Sequence, residues 1–259
     1  SISARRTRNE GRVRALQKMS KERQQRRQRQ GNARLRVQEA ERSGELVIEA
    51  EDLYFAYSEG EPQVRQLSLL VGRGDKIGVV GPNGSGKSSL LRLIAGLEAL
   101  DDGHLTLDGI PLDHRPEIFV PPHERPIAMS FQEPRLFAHL RVIDNVAYPL
   151  RRDGRPLDQA HLQLDRVGAG ALADLRPTRL SGGQAQRVAL ARALAVDAPT
   201  LLLDEPLAAI DEVGRAEVGA LLRSLNTRRI VWVTHDPADA GDADVIVSIQ
   251  DGVVRQTAT

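Results

Sequence analysis

The sequence predicts an α/β domain with a mainly parallel sheet, preceded by a basic helical arm. Three observations predict it. From about residue 45 onward, short apolar runs alternate with stretches of helical period. One of those runs, residues 77–80, enters a glycine-rich turn that opens directly into a helical stretch. Charge also divides along the chain. Residues 1–44 hold 14 Lys and Arg against 4 Asp and Glu, a net of +10, while the remainder carries −9.

The arm, residues 1–44, has no proline and is rich in Arg, Gln, Glu and Ala, which favour helix. Its apolar stripe is narrow, with Val13, Leu16 and Met19 at helical spacing. Gly11 and Gly31-Asn32 are the expected breaks. Such a segment needs a partner surface to be well ordered, and its charge suits phosphate groups. It has no aromatic residue, so base stacking is not expected of it.

After Ser43-Gly44 the strand pattern begins at residues 46–57, with a turn at 58–62 and a second strand at 66–71. Further strands are expected at 75–80, 104–107, 127–131, 200–203, 230–234 and 245–250, and helices at 88–95, 142–151, 157–167, 181–195 and 211–226. Residues 111–126, crowded with Pro, His and Arg, read as a loop. The 259-residue chain is 41% hydrophobic, which supplies a large core, but only 3% aromatic, so Leu, Val, Ile and Ala must build it. Without cysteine there is no disulfide framework and no thiolate metal site. No apolar run is long enough to span a bilayer, and the Arg-rich start lacks the apolar core of a secretory signal.

The chemistry is concentrated in a few short motifs. Gly81-Pro82-Asn83-Gly84-Ser85-Gly86-Lys87-Ser88 fits G-x-x-x-x-G-K-[ST] between an apolar strand and a helix. Glycines let successive N–H groups turn toward one anion, and the helix that follows adds the positive end of its dipole. Lys87 is expected to reach the outer phosphates and Ser88 to ligate Mg²⁺, with Ser89 completing the contacts. Leu201-Leu202-Leu203-Asp204-Glu205 is an apolar strand ending in two carboxylates. Asp204 at the strand tip suits a magnesium ion, and Glu205 suits a general base for an attacking water. Ser181-Gly182-Gly183-Gln184 forms a second glycine-rich helix start, again fit for phosphate.

In this order the motifs resemble the ATP-binding cassette (ABC) family, over about residues 45–259. The resemblance implies a P-loop NTPase fold with a mainly parallel sheet core, an antiparallel β subdomain and a helical signature subdomain at about 133–185. It implies ATP and Mg²⁺ as ligands and ATP hydrolysis as the reaction. Leu180 through Gln184 looks like the family signature. Gln132 matches the glutamine that touches metal and water, His235 the switch histidine, and Asp211 the D-loop aspartate. Tyr57 sits where the family places an aromatic against adenine, with Tyr54 a weaker candidate. The family pairs two cassettes head to tail, so that Ser181 and Gly183 of one cap the γ-phosphate held by Lys87 of the other. The interval from His235 to Val245 is short for the family, which predicts a trimmed last helix.

Within the family two branches are represented. Val120-Pro121-Pro122-His123-Glu124-Arg125-Pro126, Phe131-Gln132-Glu133 and Leu136-Phe137-Ala138-His139-Leu140 resemble ATP subunits of bacterial importers, of the molybdate type first and the sulfate and thiamine types next. That implies membrane permease subunits as partners and a cytoplasmic place on the inner face of the membrane. Residues 4–52 resemble instead the interdomain linker of the ABC-F (Uup-like) proteins, which implies a ribosome or RNA partner reached through residues 1–44. The expectation drawn from the whole chain is an importer energy subunit, with a ribosome-associated ATPase as the alternative.

Overall fold

The computed structural model describes residues 47–57 and 61–256. The reading of residues 1–44 as a basic helical arm lies outside them. Eleven strands make two sheets among the described residues. The strands are β1 (Ile48–Ala56), β2 (Pro62–Val71), β3 (Lys76–Val80), β4 (Asp102–Leu107), β5 (Ile110–His114), β6 (Ile118–Phe119), β7 (Ile127–Ser130), β8 (Thr200–Asp204), β9 (Arg229–Thr234), β10 (Val245–Gln250) and β11 (Val253–Gln256). Five helices accompany them: α1 (Lys87–Ala95), α2 (Val142–Arg152), α3 (Asp158–Arg166), α4 (Gly182–Ala195) and α5 (Glu212–Ser224).

The six-stranded sheet runs β11-β10-β3-β9-β8-β7, parallel throughout except for the closing β10–β11 hairpin. Its central strands are buried on both faces, which explains their unbroken apolar runs. Alternation then assigns each side chain to a core. Leu201, Leu203, Ile230 and Trp232 join one core with residues of α2, α3, α4 and α5, while Leu202, Val231 and Val233 join the other with α1 and the second sheet. That second sheet, β2-β1-β4-β5-β6, is antiparallel. Its inward positions Ile48, Ala50, Leu53 and Phe55 alternate with outward polar ones, as a half-buried strand requires.

Two expectations need correction. Residues 111–126 are not a plain loop. They carry the end of β5, the two-residue β6 and a 3₁₀ turn at Pro122–Glu124. Pro111 and the charged side chains are tolerated because β5 and β6 lie at the margin of the sheet. The second strand begins at Pro62, four residues earlier than the apolar pattern alone indicates, because its first turns pair with Phe55 and Ala56. The segment after β9 does hold only a short 3₁₀ helix, Pro237–Ala240.

Candidate functional site

Parallel strands bring their carboxyl ends to one edge, and there the loops after β3, β7, β8 and β9 emerge side by side. Those loops carry the phosphate-loop motif, Gln132, Glu205 and His235. Chain segments far apart in sequence thus contribute to one edge because adjacent strands do.

The loop between β3 and α1 is tied by backbone hydrogen bonds to β9, to the β10–β11 turn and within itself. Gly81 N–H donates to the Thr234 carbonyl at 3.3 Å, Ser85 N–H to Pro82 at 3.2 Å, and Gly252 N–H, from the β10–β11 turn, to Ser85 at 3.2 Å. Gly86 caps α1 with φ +97°, a left-handed value that side chains disfavour. A Cβ there would lie 1.9 Å from the Gln63 carbonyl oxygen, so β2 presses directly on the loop. Lys87 is buried and donates through Nζ to the carbonyls of Gly81 (2.7 Å) and Pro82 (2.9 Å). Burial pulls its pKa down, while the nearby carboxylates of Glu205 and Asp204 oppose that shift.

Ser88 Oγ donates to Asp204 Oδ1 at 3.0 Å. Burial pushes the Asp204 carboxyl up, and the Ser88 hydroxyl pulls the other way. One residue further, Glu205 takes φ +50° and its N–H donates to Val233 of β9 at 2.9 Å. This backbone turn sets its buried carboxylate against His235, with Oε2 2.9 Å from Nδ1. Gln132 is exposed after β7, with no side-chain hydrogen bond among the described residues. Tyr57 is exposed with its ring edge-on to Phe55, and its hydroxyl accepts from Arg92 of α1 at 3.3 Å. Tyr54 is also exposed, on the outward face of β1. Ser89 is buried along α1.

The second glycine-rich start behaves differently. Ser181 Oγ accepts from Gln184 N–H, and Gln184 Oε1 accepts from Ser181 N–H, a complete capping box on α4. Gly183 must be small because a Cβ there would lie 2.5 Å from the Ala209 carbonyl. Gly182 and Ser181 are exposed. Asp211, exposed, caps α5 by accepting from Gly214 N–H at 3.1 Å. Four side chains at this edge escape a motif search: Gln186, whose amide donates to the Glu205 carbonyl (3.4 Å), Arg92, and the ion pair of Arg215 with Asp239 (3.0 Å). No spacing rule marks any of them.

The residues present fit a magnesium nucleotide. Ser85 Oγ is buried with no hydrogen-bond partner among the described residues, inside a loop of turned N–H groups. The Ser88 and Asp204 pair is a hard-oxygen set, incomplete for an octahedral ion without phosphate oxygens.

The profile of one family, described as ABC transporter, matches residues 64–208, more than half of the chain. The chain belongs to the ABC transporter family. The matched residues include the phosphate-loop motif, Gly81 to Ser88, and the strand end at Asp204 and Glu205. It is 43% identical over 198 residues to the sulfate/thiosulfate import ATP-binding protein CysA of Mycobacterium tuberculosis, covering 73% of this chain and 55% of that protein. It is 42% identical over 193 residues to the molybdenum import ATP-binding protein ModC of Methylococcus capsulatus, covering 71% and 53%. The chain thus spans little more than half the length of these curated relatives. Among solved structures it matches the ATP-binding cassette MJ0796, dimeric in a post-hydrolysis state with ADP and Pi. That match has TM-score 0.74 and 28% identity, over 82% of this chain and 99% of that one. The ABC-F reading of the arm finds no support in these relatives, and residues 1–44 lie outside the family match.

Proposed function

We propose that this cassette is the energy-coupling ATP subunit of an importer for a small inorganic oxyanion, of the sulfate or molybdate kind. Its importer relatives support that reading, and the arrangement at the sheet edge carries the chemistry. The central observation is the Glu205 carboxylate oriented by His235 at 2.9 Å, on the strand end beside the Ser88 and Asp204 pair.

Lys87 exchanges its two backbone carbonyls for β- and γ-phosphate oxygens. The N–H groups of residues 81–88 and the amino end of α1 add to the anion cradle. Ser88, Asp204 and Gln132 would hold magnesium, which when bound neutralises charge that builds on the phosphates. Tyr57 stacks on the adenine. Glu205 accepts the proton of the attacking water, and His235 keeps its carboxylate aimed. A second cassette, set head to tail, supplies Ser181, Gly182, Gly183 and Gln184 at the γ-phosphate and Asp211 at the shared boundary. A permease then receives the closure of the pair through residues 131–140, and this places the cassette at the inner face of the membrane.

One experiment tests the reading. A strain lacking the ATP subunit of a sulfate or molybdate importer should regain oxyanion uptake with this chain and not with Glu205→Gln, whose purified cassette should hydrolyse ATP about 10²- to 10⁴-fold more slowly. Uptake restored equally by both chains would remove Glu205 from the base role. Uptake restored by neither would count against the importer.

A further inference from the structure

A groove of about 660 Å³ opens beside the site, with Arg215 and Asp239 across it. Arg215 projects from α5, one turn after the Asp211 cap. Its Nε donates to the Ile210 carbonyl at 3.0 Å, and its Nη1 to Asp239 Oδ1 at 3.0 Å, with Asp236 Oδ2 at 3.8 Å. Asp239 is buried, its side chain only 6% exposed, and it continues the connection inward. Its carbonyl accepts from Trp232 Nε1 (3.2 Å) and its Oδ2 from Thr234 Oγ1 (3.5 Å). Asp236 N–H donates to Thr234 Oγ1 at 3.1 Å. His235 lies between these anchored positions. One guanidinium therefore holds the backbone that precedes Asp211 and both acidic residues that flank and follow His235.

We propose that Arg215 is a positioning residue that couples the segment 207–211 to the loop carrying His235, so that contact of a second cassette at Asp211 sets the aim of His235 on Glu205. The inference rests on the reading of Glu205 and His235 as the hydrolytic pair. Two features make it specific to Arg. The planar fork donates to a backbone carbonyl and a carboxylate at once, whereas an ammonium at the same place is a single point charge. The neighbouring elements also leave no substitute: among the described residues Asp239 has no other basic partner.

The protein carries its own reporter. Trp232 is the only tryptophan in the chain, it is buried, and its indole N–H is bonded to Asp239. The test compares R215K with wild type, and R215K/E205Q with E205Q, using ATP and magnesium as the probe. Expected for R215K is a fall in kcat of about tenfold or more with KM for ATP within about twofold, since geometry is lost and the phosphate cradle is untouched. In the E205Q background the ATP-induced change in tryptophan emission should be lost on adding R215K, while nucleotide binding by equilibrium dialysis is retained. The R215A/D239N pair should recover thermal stability relative to R215A, because no buried carboxylate is left unpaired, and should not recover kcat. A tryptophan response that R215K leaves unchanged, or kcat restored by the double variant, overturns the proposal. Failure of the Glu205 reading is separate, because it shows as turnover in E205Q itself.

Discussion

Gly86 and Gly84 both take left-handed backbone, φ +97° and +80°, yet they are not equivalent. A Cβ at Gly84 would meet nothing within 4 Å, whereas one at Gly86 would meet the Gln63 carbonyl at 1.9 Å. Gly84→Ala therefore costs only the conformational preference, about 1 kcal/mol. Gly86→Ala adds a collision with backbone that cannot turn aside, so the loop must shift. ATP affinity should fall at least about tenfold in Gly86→Ala, with a larger stability loss of about 2–3 kcal/mol, and by much less in Gly84→Ala. Isothermal titration with a non-hydrolysed ATP analogue and urea denaturation check both numbers. At this scale the sequence is informative only where a residue type is rare for a reason. The run from Gly81 to Ser88 and the Asp204-Glu205 strand end are of that kind. Arg215 and Asp239 are not, because a pair 24 residues apart on two separate elements leaves no spacing to read.

Among the elements, α1 shows how the remainder of the chain secures the site. Its carboxyl end is capped by Arg125, from the segment read as a loop. The buried guanidinium donates to Leu93 and Ile94 of α1 and to Leu112 and Val120, at 2.8–3.2 Å. A cation at a helix carboxyl end also opposes the dipole favourably. Burial draws the Arg125 pKa down to about 10, so it remains charged at neutral pH. Arg125→Met should lower stability by about 2–4 kcal/mol in urea denaturation, because carbonyls that it satisfies are left without a donor. The helices and the parallel strands were legible because their apolar periods are long and their ends are marked. Ser181 and Asp211 stand one residue before their helices as caps. The β5–β6 margin was not legible, since a two-residue strand among prolines carries no period. The importance of Arg125 was hidden with it.

At the scale of the whole molecule, two helix starts stand exposed among the described residues. Ser181 and Gly182 are exposed at α4, and Asp211 at α5. On the proposed head-to-tail pairing, completion by a second copy would make hydrolysis second order in protein at low concentration. Specific activity of the purified cassette should rise with concentration and level off, and a plot of rate against concentration should be steeper than linear below the dimer constant. A strictly linear plot from the lowest concentration would mean that one copy suffices. Here too the sequence was informative by resemblance only: a surface that is finished by another molecule has no signature in the period or polarity of its own chain.

The bracing of the phosphate loop by Gln63 and by the turn at Gly252 has a kinetic side. Two of the chain segments that meet there, Gln63 and residues 81–88, lie near the beginning of the described residues, and the third, Gly252, lies near their end. Contacts of such long sequence separation form slowly, after local helices and hairpins. The hydrogen bond from Gly252 to Ser85 forms only when the last hairpin has arrived and docked. During synthesis, the motif is therefore made about 160 residues before the turn at Gly252 that braces it.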